Sequence, residues 1–264
     1  MKHLRVLLAL LLIGTMPCVY AQKKNVSGKD NTVTFYFTRH GKTILNTMDR
    51  VQGWADTPLT PAGVEVAECL ARGLKLEGIH FKAAYCSDLG RARQTARIAL
   101  KGSGQGDLPL TEVSNLRETN FGSYEGEPNH VMWNDAALYL HYHSQKELME
   151  AMEKNPGLLK EAVDTFKELE TLGIGENYND VKTRGQKAIR EIAEKEAANG
   201  GGNVLVVGHG MSIGIFLSDL DSYGGKPSSS HMGNAAVCKV TYKDGKFRLE
   251  SFGDMSYVEK GKIQ

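Results

Sequence analysis

The chain has 264 residues, 41% hydrophobic and 24% charged, with 32 Lys and Arg against 31 Asp and Glu. Such a balance excludes a disordered or collagen-like polymer. It also gives no reason to expect nucleic acid or a membrane surface as partner, because binding by counterion release needs a basic stripe and none is visible.

Residues 1–21 read as a secretory signal peptide: cationic Lys2, His3 and Arg5, an apolar run over 6–14, and Val19-Tyr20-Ala21 with cleavage expected after Ala21. The apolar run is too short for a permanent span, and no later stretch reaches the roughly 18 apolar residues needed. The mature protein is therefore expected to be soluble, secreted or periplasmic, and without a membrane partner. Pro17 stands where a lipoprotein signal wants a small residue, which disfavours a lipid anchor on Cys18. About 240 residues remain, a normal size for one α/β domain or two small ones, and the adopted reading is a polar leader over 22–31 and a single domain over 32–264. Cys69, Cys86 and Cys238 occupy core-like positions and are expected as buried free thiols, not a disulfide framework.

The β-branched and aromatic run TVTFYFT over 32–38 predicts a buried strand. Thr60-Pro61 is an N-cap followed by a proline at the first helical position, with Val64, Ala67, Leu70, Ala71 and Leu74 at helical spacing behind it. A second strand is expected over 83–87, then a helix over 91–100 capped by Ser87 or Asp88, and a strand or extended edge over 108–116. Residues 127–173 differ in kind, with helix-forming sequence over 131–152 and 158–172 broken by Asn155-Pro156-Gly157. Another helix is expected over 179–198, followed by the VLVV strand over 203–207, which has the composition of a central parallel strand. A helix over 211–220 and a hairpin of strands 235–242 and 247–252 around Asp244-Gly245 complete the chain. The alternation predicts an α/β fold, a three-layer α/β/α sandwich with a mostly parallel central sheet, a helical insertion over the active site and a C-terminal hairpin.

Open α/β sheets bind ligands beyond the carboxyl ends of their strands. Thr38-Arg39-His40-Gly41 follows the first predicted strand, Ser87-Asp88-Leu89-Gly90-Arg91 the second, and Gly208-His209-Gly210 the VLVV strand. Two histidines and two arginines are thus expected on one rim, able to hold a phosphate dianion without a metal, since a planar guanidinium matches spaced phosphate oxygens.

At these residues the sequence resembles the histidine phosphatase superfamily, also called the phosphoglycerate mutase-like family. Its RHG signature is Arg39-His40-Gly41, and matching blocks follow in family order: Asn46, Gln52-Gly53, Asp56, Pro58-Leu59-Thr60 and Gly63, then Ser87, Leu89, Arg91-Ala92 and Gln94-Thr95-Ala96, then Leu116, Glu118, Phe121-Gly122, Glu125-Gly126, Gly175-Glu176 and Gly208-His209-Gly210. The resemblance implies that His40 is the nucleophile, becoming a phosphohistidine. It implies that Arg39 and Arg91 hold phosphate oxygens, with the first turn of the Arg91 helix favouring an anion, and that His209, if protonated, neutralises charge in the transition state. Glu118 is implied as the acid that protonates the leaving alkoxide and then as the base that activates water, a double role that asks for a carboxyl holding its proton nearer neutrality. Asn46 is implied as a further phosphate ligand, backed by the Gly53 amide or the Gln52 side chain. Glu125 and Glu176 are the residues most easily mistaken for Glu118. The chain departs from the family pattern at Lys42 and Leu45.

Other features carry a plainer reading. His141-Tyr142-His143 sits in predicted helix, where positions i and i+2 diverge, so no metal is expected there. Trp133, Tyr139 and Tyr142 either cover the site as a lid or pack the insertion onto the sheet, and Lys42 is either a second anion contact or a solvated lysine. Gly102 to Gly106 trails a helix without the lysine of a phosphate loop and reads as a connector. Together these readings predict an exported, metal-independent phosphatase that uses no cofactor and hydrolyses small phosphate monoesters through phosphohistidine. The alternatives are a cofactor-dependent phosphoglycerate mutase and a non-catalytic phospholigand-binding protein.

Overall fold

A computed structural model describes residues 31–218 and 232–263. The expected signal peptide and nearly all of the leader lie outside them. Six strands form one sheet: β1 Val33–Arg39, β2 Phe81–Cys86, β3 Leu110–Glu112, β4 Gly202–Gly208, β5 Val237–Lys243 and β6 Lys246–Asp254, in the spatial order β3-β2-β4-β1-β5-β6. The pairings β3/β2, β2/β4 and β4/β1 are parallel, whereas β5 joins β1 antiparallel and forms the hairpin with β6. Asp244 and Gly245 both have positive φ, the requirement of the two-residue turn expected there.

Strand side chains alternate between faces, and the core divides accordingly. Tyr36, Ala84, Leu205 and Val207 pack beneath α2 Pro61–Leu76, α3 Gly90–Gly102 and the C-terminal α9 Ser256–Lys262. Phe35, Phe37, Val204 and Val206 face α7 Tyr178–Ala198, α8 Gly210–Leu217 and the helices of the 127–173 segment. The result is the predicted three-layer sandwich. Thr60 caps α2 by accepting from the Gly63 amide, and Asn177 with Asp180 forms a capping box on α7. Cys69, Cys86 and Cys238 are buried and free, and burial pushes the Cys86 and Cys238 thiols up to about 12.

Several elements depart from expectation. The helix predicted over 131–152 is two, α4 Asn129–Tyr139 and α5 Gln145–Lys154, because the chain turns at His141 (φ 64°) and restarts at Ser144, whose side chain accepts from the Glu147 amide. The His141-Tyr142-His143 segment therefore lies in a connection, not on a helix. The following helix, α6 Leu158–Leu169, stops short of Leu172. The extended edge predicted over 108–116 shrinks to β3 and a 3-10 turn, Ser114–Leu116. Helix α8 ends at Leu217, and its predicted last residues fall beyond the described segment. Neither the one-turn α1 Ile44–Thr47 nor α9 was expected.

The insertion is no separate body. Met132, Leu148, Ala162, Val163 and Phe166 belong to the same core as β1 and β4, and Phe166 makes edge contacts with Trp133 (4.9 Å) and Phe121 (5.8 Å). Trp133 and Tyr142 thus pack the insertion onto the core, while Tyr139 is 47% exposed.

Topology places the site. From β1 the chain leaves toward β2 through α2 on one face of the sheet, and from the adjacent β4 it leaves toward β5 through α8 on the other. Connections that diverge from neighbouring parallel strands open a crevice at their carboxyl ends.

Candidate active site

Arg39 and Gly208 are register partners at the ends of β1 and β4, so His40 and His209 emerge side by side into that crevice. Their ring centroids are 5.3 Å apart and the planes are tilted by 60°. The backbone must come very close here. A Cβ on Gly41 would collide with the Gly63 carbonyl in the first turn of α2, so only glycine allows His40 to leave the strand while α2 stays against it. The Gly41 amide donates to Thr95 Oγ1 (3.0 Å), which donates to the Arg91 carbonyl (2.8 Å), tying the first loop to α3.

His40 Nδ1 lies 2.8 Å from the Gly41 carbonyl. A carbonyl only accepts, so Nδ1 carries the hydrogen and Nε2 the lone pair. Burial, and then the charges of Arg91 and Arg39, hold the His40 pKa well below its ordinary value of 6.5. His209 is lowered well below 6.5 in the same way, by burial first and by Arg91 next. Both shifts favour the neutral ring in the free protein, so the charge on which the role of His209 is conditional requires an anion to bring its proton in.

Arg91 is completely buried. Its Nη1 donates to the Ala55 carbonyl and pairs with Asp56 at 3.0 Å, and its Nη2 donates to the Gly53 carbonyl at 2.6 Å. Nε is left unpartnered, as are Arg39 Nε and both ring nitrogens of His209, all of them buried. The two guanidinium Nε–H groups and the one N–H of a neutral His209 are buried donors that an anion would satisfy, since native proteins rarely leave such groups unpaired. Arg39 Nη1 is held by the Met232 carbonyl (2.5 Å), and Asn234 donates to the His40 carbonyl (2.9 Å).

Carboxylates take helix amides at the starts of both α3 and α8. Asp56 accepts from the Gly90 amide (2.5 Å) and occupies the start of α3, replacing the Ser87 or Asp88 cap expected from the sequence. Asp88 instead forms a two-point ion pair with Arg117 (2.6 and 2.7 Å). The start of α8 is filled by Glu118, whose Oε1 accepts from Ser212 (2.8 Å) and Thr119 (2.9 Å) and whose Oε2 accepts from Met211 (3.1 Å). Glu118 is buried and close enough for its charge to act on both Arg39 and Arg91.

The other predicted ligands have partners already. Gln52 bridges Thr43 and Thr57 through its side chain, and the Gly53 amide donates to Glu125 (3.0 Å), so both hold the loop in place. Asn46 Oδ1 accepts from the Thr43 amide in the capping box of α1, which leaves its amide group as the end able to donate to a ligand. Lys42 is exposed.

Glu125 and Glu176 separate cleanly from Glu118. Glu125 accepts from the amides of Gly53, Trp54, Ala55 and Phe121 and shapes the 52–56 loop. Glu176 pairs with Arg184 (2.7 Å) and accepts from the Asn120 amide. Sequence reasoning missed Arg184, which donates to the carbonyls of Asn115, Arg117 and Glu118, each at 2.8 Å. It also missed Trp54. Arg184 leaves a signal, lying two turns into α7 from Glu176, but a carbonyl-binding guanidinium has no signature of its own.

A family model described as the histidine phosphatase superfamily (branch 1) matches residues 35–255. A broad-specificity phosphatase of Saccharomyces cerevisiae is 28% identical over 236 residues, spanning 89% of this chain and 91% of its own. A phosphoglycerate mutase from Bacillus anthracis superposes with a TM-score of 0.81 at 44% identity, over 89% of this chain and 98% of that one. YhfR of Bacillus stearothermophilus does so at 0.62 and 28%, over 86% and 99%. With most of its length under one family model, and the paired histidines, two arginines and a buried glutamate gathered at one crevice, the chain belongs to the histidine phosphatase superfamily, whose members are phosphatases or mutases.

Proposed function

We propose that this protein is an exported, metal-independent phosphatase that hydrolyses small phosphate monoesters through a phosphohistidine at His40. The observation that carries the reading is the neutral His40, its Nδ1 hydrogen engaged by Gly41, set among four unpartnered buried nitrogens. In the first step the Nε2 lone pair attacks phosphorus, the bond to the ester oxygen breaks, and Glu118 delivers a proton to the leaving alkoxide. Oε2 is the oxygen suited to carry that proton, since it accepts one amide where Oε1 accepts two. In the second step Glu118, now a carboxylate, takes a proton from water as the oxygen attacks phosphorus, releasing phosphate and restoring His40. Arg39, Arg91 and His209 hold the equatorial oxygens, and His209 gains its charge as the dianion enters.

Export rests on the residue 1–21 pattern and favours hydrolysis. Outside the cytoplasm a mutase would meet little of the bisphosphorylated primer it needs. The second reading, a phosphoglycerate mutase, is supported by the 44% identity to the Bacillus anthracis enzyme. Phosphate release from an ester panel, measured beside interconversion of 3- and 2-phosphoglycerate, separates the two. Hydrolysis is expected to dominate, to survive chelator, and to vanish in His40→Ala, with phosphate trapped on His40 in an alkali quench. A chelator-sensitive activity or a phosphate-free His40 overturns the mechanism, and tight phosphate binding without turnover would make the protein a binder. N-terminal sequencing of exported material is expected to begin at Gln22.

A further inference from the structure

The Glu118 carboxylate is fixed by amides, but its backbone is fixed by side chains. The Glu118 carbonyl accepts two hydrogen bonds, from Arg184 Nη2 (2.8 Å) and from the indole Nε1 of Trp54 (3.0 Å). Trp54 belongs to the loop whose carbonyls at Gly53 and Ala55 hold Arg91, and the Trp54 amide is itself held by Glu125 (2.7 Å). The outer face of the ring is covered by the Arg117 guanidinium, 4.5 Å from the centroid, and Arg117 is locked to Asp88 at the end of β2. One indole therefore joins the loop that holds Arg91 to the segment that carries Glu118. Trp54 is 38% exposed, so core filling does not account for it.

We infer that Trp54 is a positioning residue that sets the distance between the bound phosphoryl group and the proton donor, by holding the Glu118 carbonyl from the loop that also orients Arg91. This rests on the reading of Glu118 as proton donor. Proton delivery matters most when the leaving group is poor, because a good leaving group departs without it. A misplaced donor should therefore penalise alkyl esters and spare aryl esters.

The test is Trp54→Phe, which keeps a ring beneath Arg117 and removes the N–H, compared with wild type, Glu118→Gln and the double variant. The readout is kcat/KM on 4-nitrophenyl phosphate and glycerol phosphate, which ends at release of the alcohol and so leaves out the water step that Glu118 also assists, with thermal unfolding to check the fold. Trp54→Phe is expected to lose about tenfold or more in kcat/KM on glycerol phosphate and about twofold or less on the aryl ester. In the Glu118→Gln background the substitution should cost nothing further. Equal losses on both esters, or the same loss with and without the Glu118 carboxyl, overturn the role of Trp54. Failure of the underlying reading looks different: Glu118→Gln alone then shows no preference between the two esters.

Discussion

The two histidine side chains make the molecule sensitive to acid in a direction their surroundings dictate. Both pKa values lie well below 6.5, because burial and the neighbouring guanidinium charges disfavour a proton on either ring. Well above pH 6.5 folded and unfolded chains both keep the rings neutral, and neither ring contributes to a pH slope. As pH falls through 6.5 the unfolded chain takes up protons that the fold refuses, so stability drops by at most about 1.4 kcal/mol per pH unit for each ring. Urea unfolding between pH 7 and 5 is expected to show this loss, and His209→Asn should roughly halve its slope. A flat profile over that interval would contradict neutral rings. For catalysis the sign reverses: a nucleophile that resists protonation keeps its lone pair into mildly acidic solution, so kcat/KM should hold well below pH 6.5.

At the scale of elements, the start of α3 depends on a residue 34 positions upstream. Asp56 binds the Gly90 amide and the fully buried Arg91 at once, whereas Asp88, the nearer candidate, spends both oxygens on the part-exposed Arg117. Asp56→Ala should cost about 2–4 kcal/mol by leaving a buried guanidinium short of its counter-charge. Asp88→Ala should cost less, about 1 kcal/mol, since the Arg117 it leaves behind is 28% exposed and can turn to water, which Arg91 at 0% cannot. Comparable unfolding midpoints for the two variants would refute this division. The contrast also marks how far a sequence can be read. Local caps were legible at Thr60 because the capping group and the helix adjoin, and β1 and β4 were legible because period and composition agree. The Asp56 cap is a tertiary contact and left no local trace. The break before α5 did leave one, the Ser144-Gln145-Lys146-Glu147 pattern of a capping box, masked by helix-forming residues on both sides. Helix α9 carries a glycine and no apolar period. It is helical because it lies against α2, where Gly261 meets the Cys69 carbonyl and Gly73 meets the Tyr257 backbone at distances no side chain permits. In the site, the residues on strand ends were readable as chemistry, while Gln52 and Gly53 matched a pattern whose purpose here is to build the loop beneath Arg91.

Across the whole molecule, the site draws its groups from both layers of helices and from the sheet between them. Arg39 and His40 leave β1, Arg91 opens α3 on one face, and His209 with the amides holding Glu118 opens α8 on the other. A dianion in the crevice would satisfy nitrogens from all of these elements together, so its binding energy should appear as global stability and not as the ordering of one loop. Inorganic phosphate, the product of the proposed reaction, is the simplest probe. At a hundredfold excess over its Kd, mass action adds about 2.7 kcal/mol to the folded state. For a chain of this size that is a rise in Tm of roughly 5–10 °C. Because the dianion restores the affinity of His209 for a proton, binding should take up hydrogen ions, and phosphate should bind more tightly at pH 6 than its own ionisation predicts. Calorimetry in buffers of different ionisation enthalpy measures that uptake directly. His209→Asn should abolish the proton uptake and weaken binding, and Arg39→Gln should weaken binding while leaving the uptake in place. If phosphate raises the Tm of wild type and both variants equally, the anion is bound elsewhere on the molecule and the crevice between β1 and β4 is not the phosphoryl site.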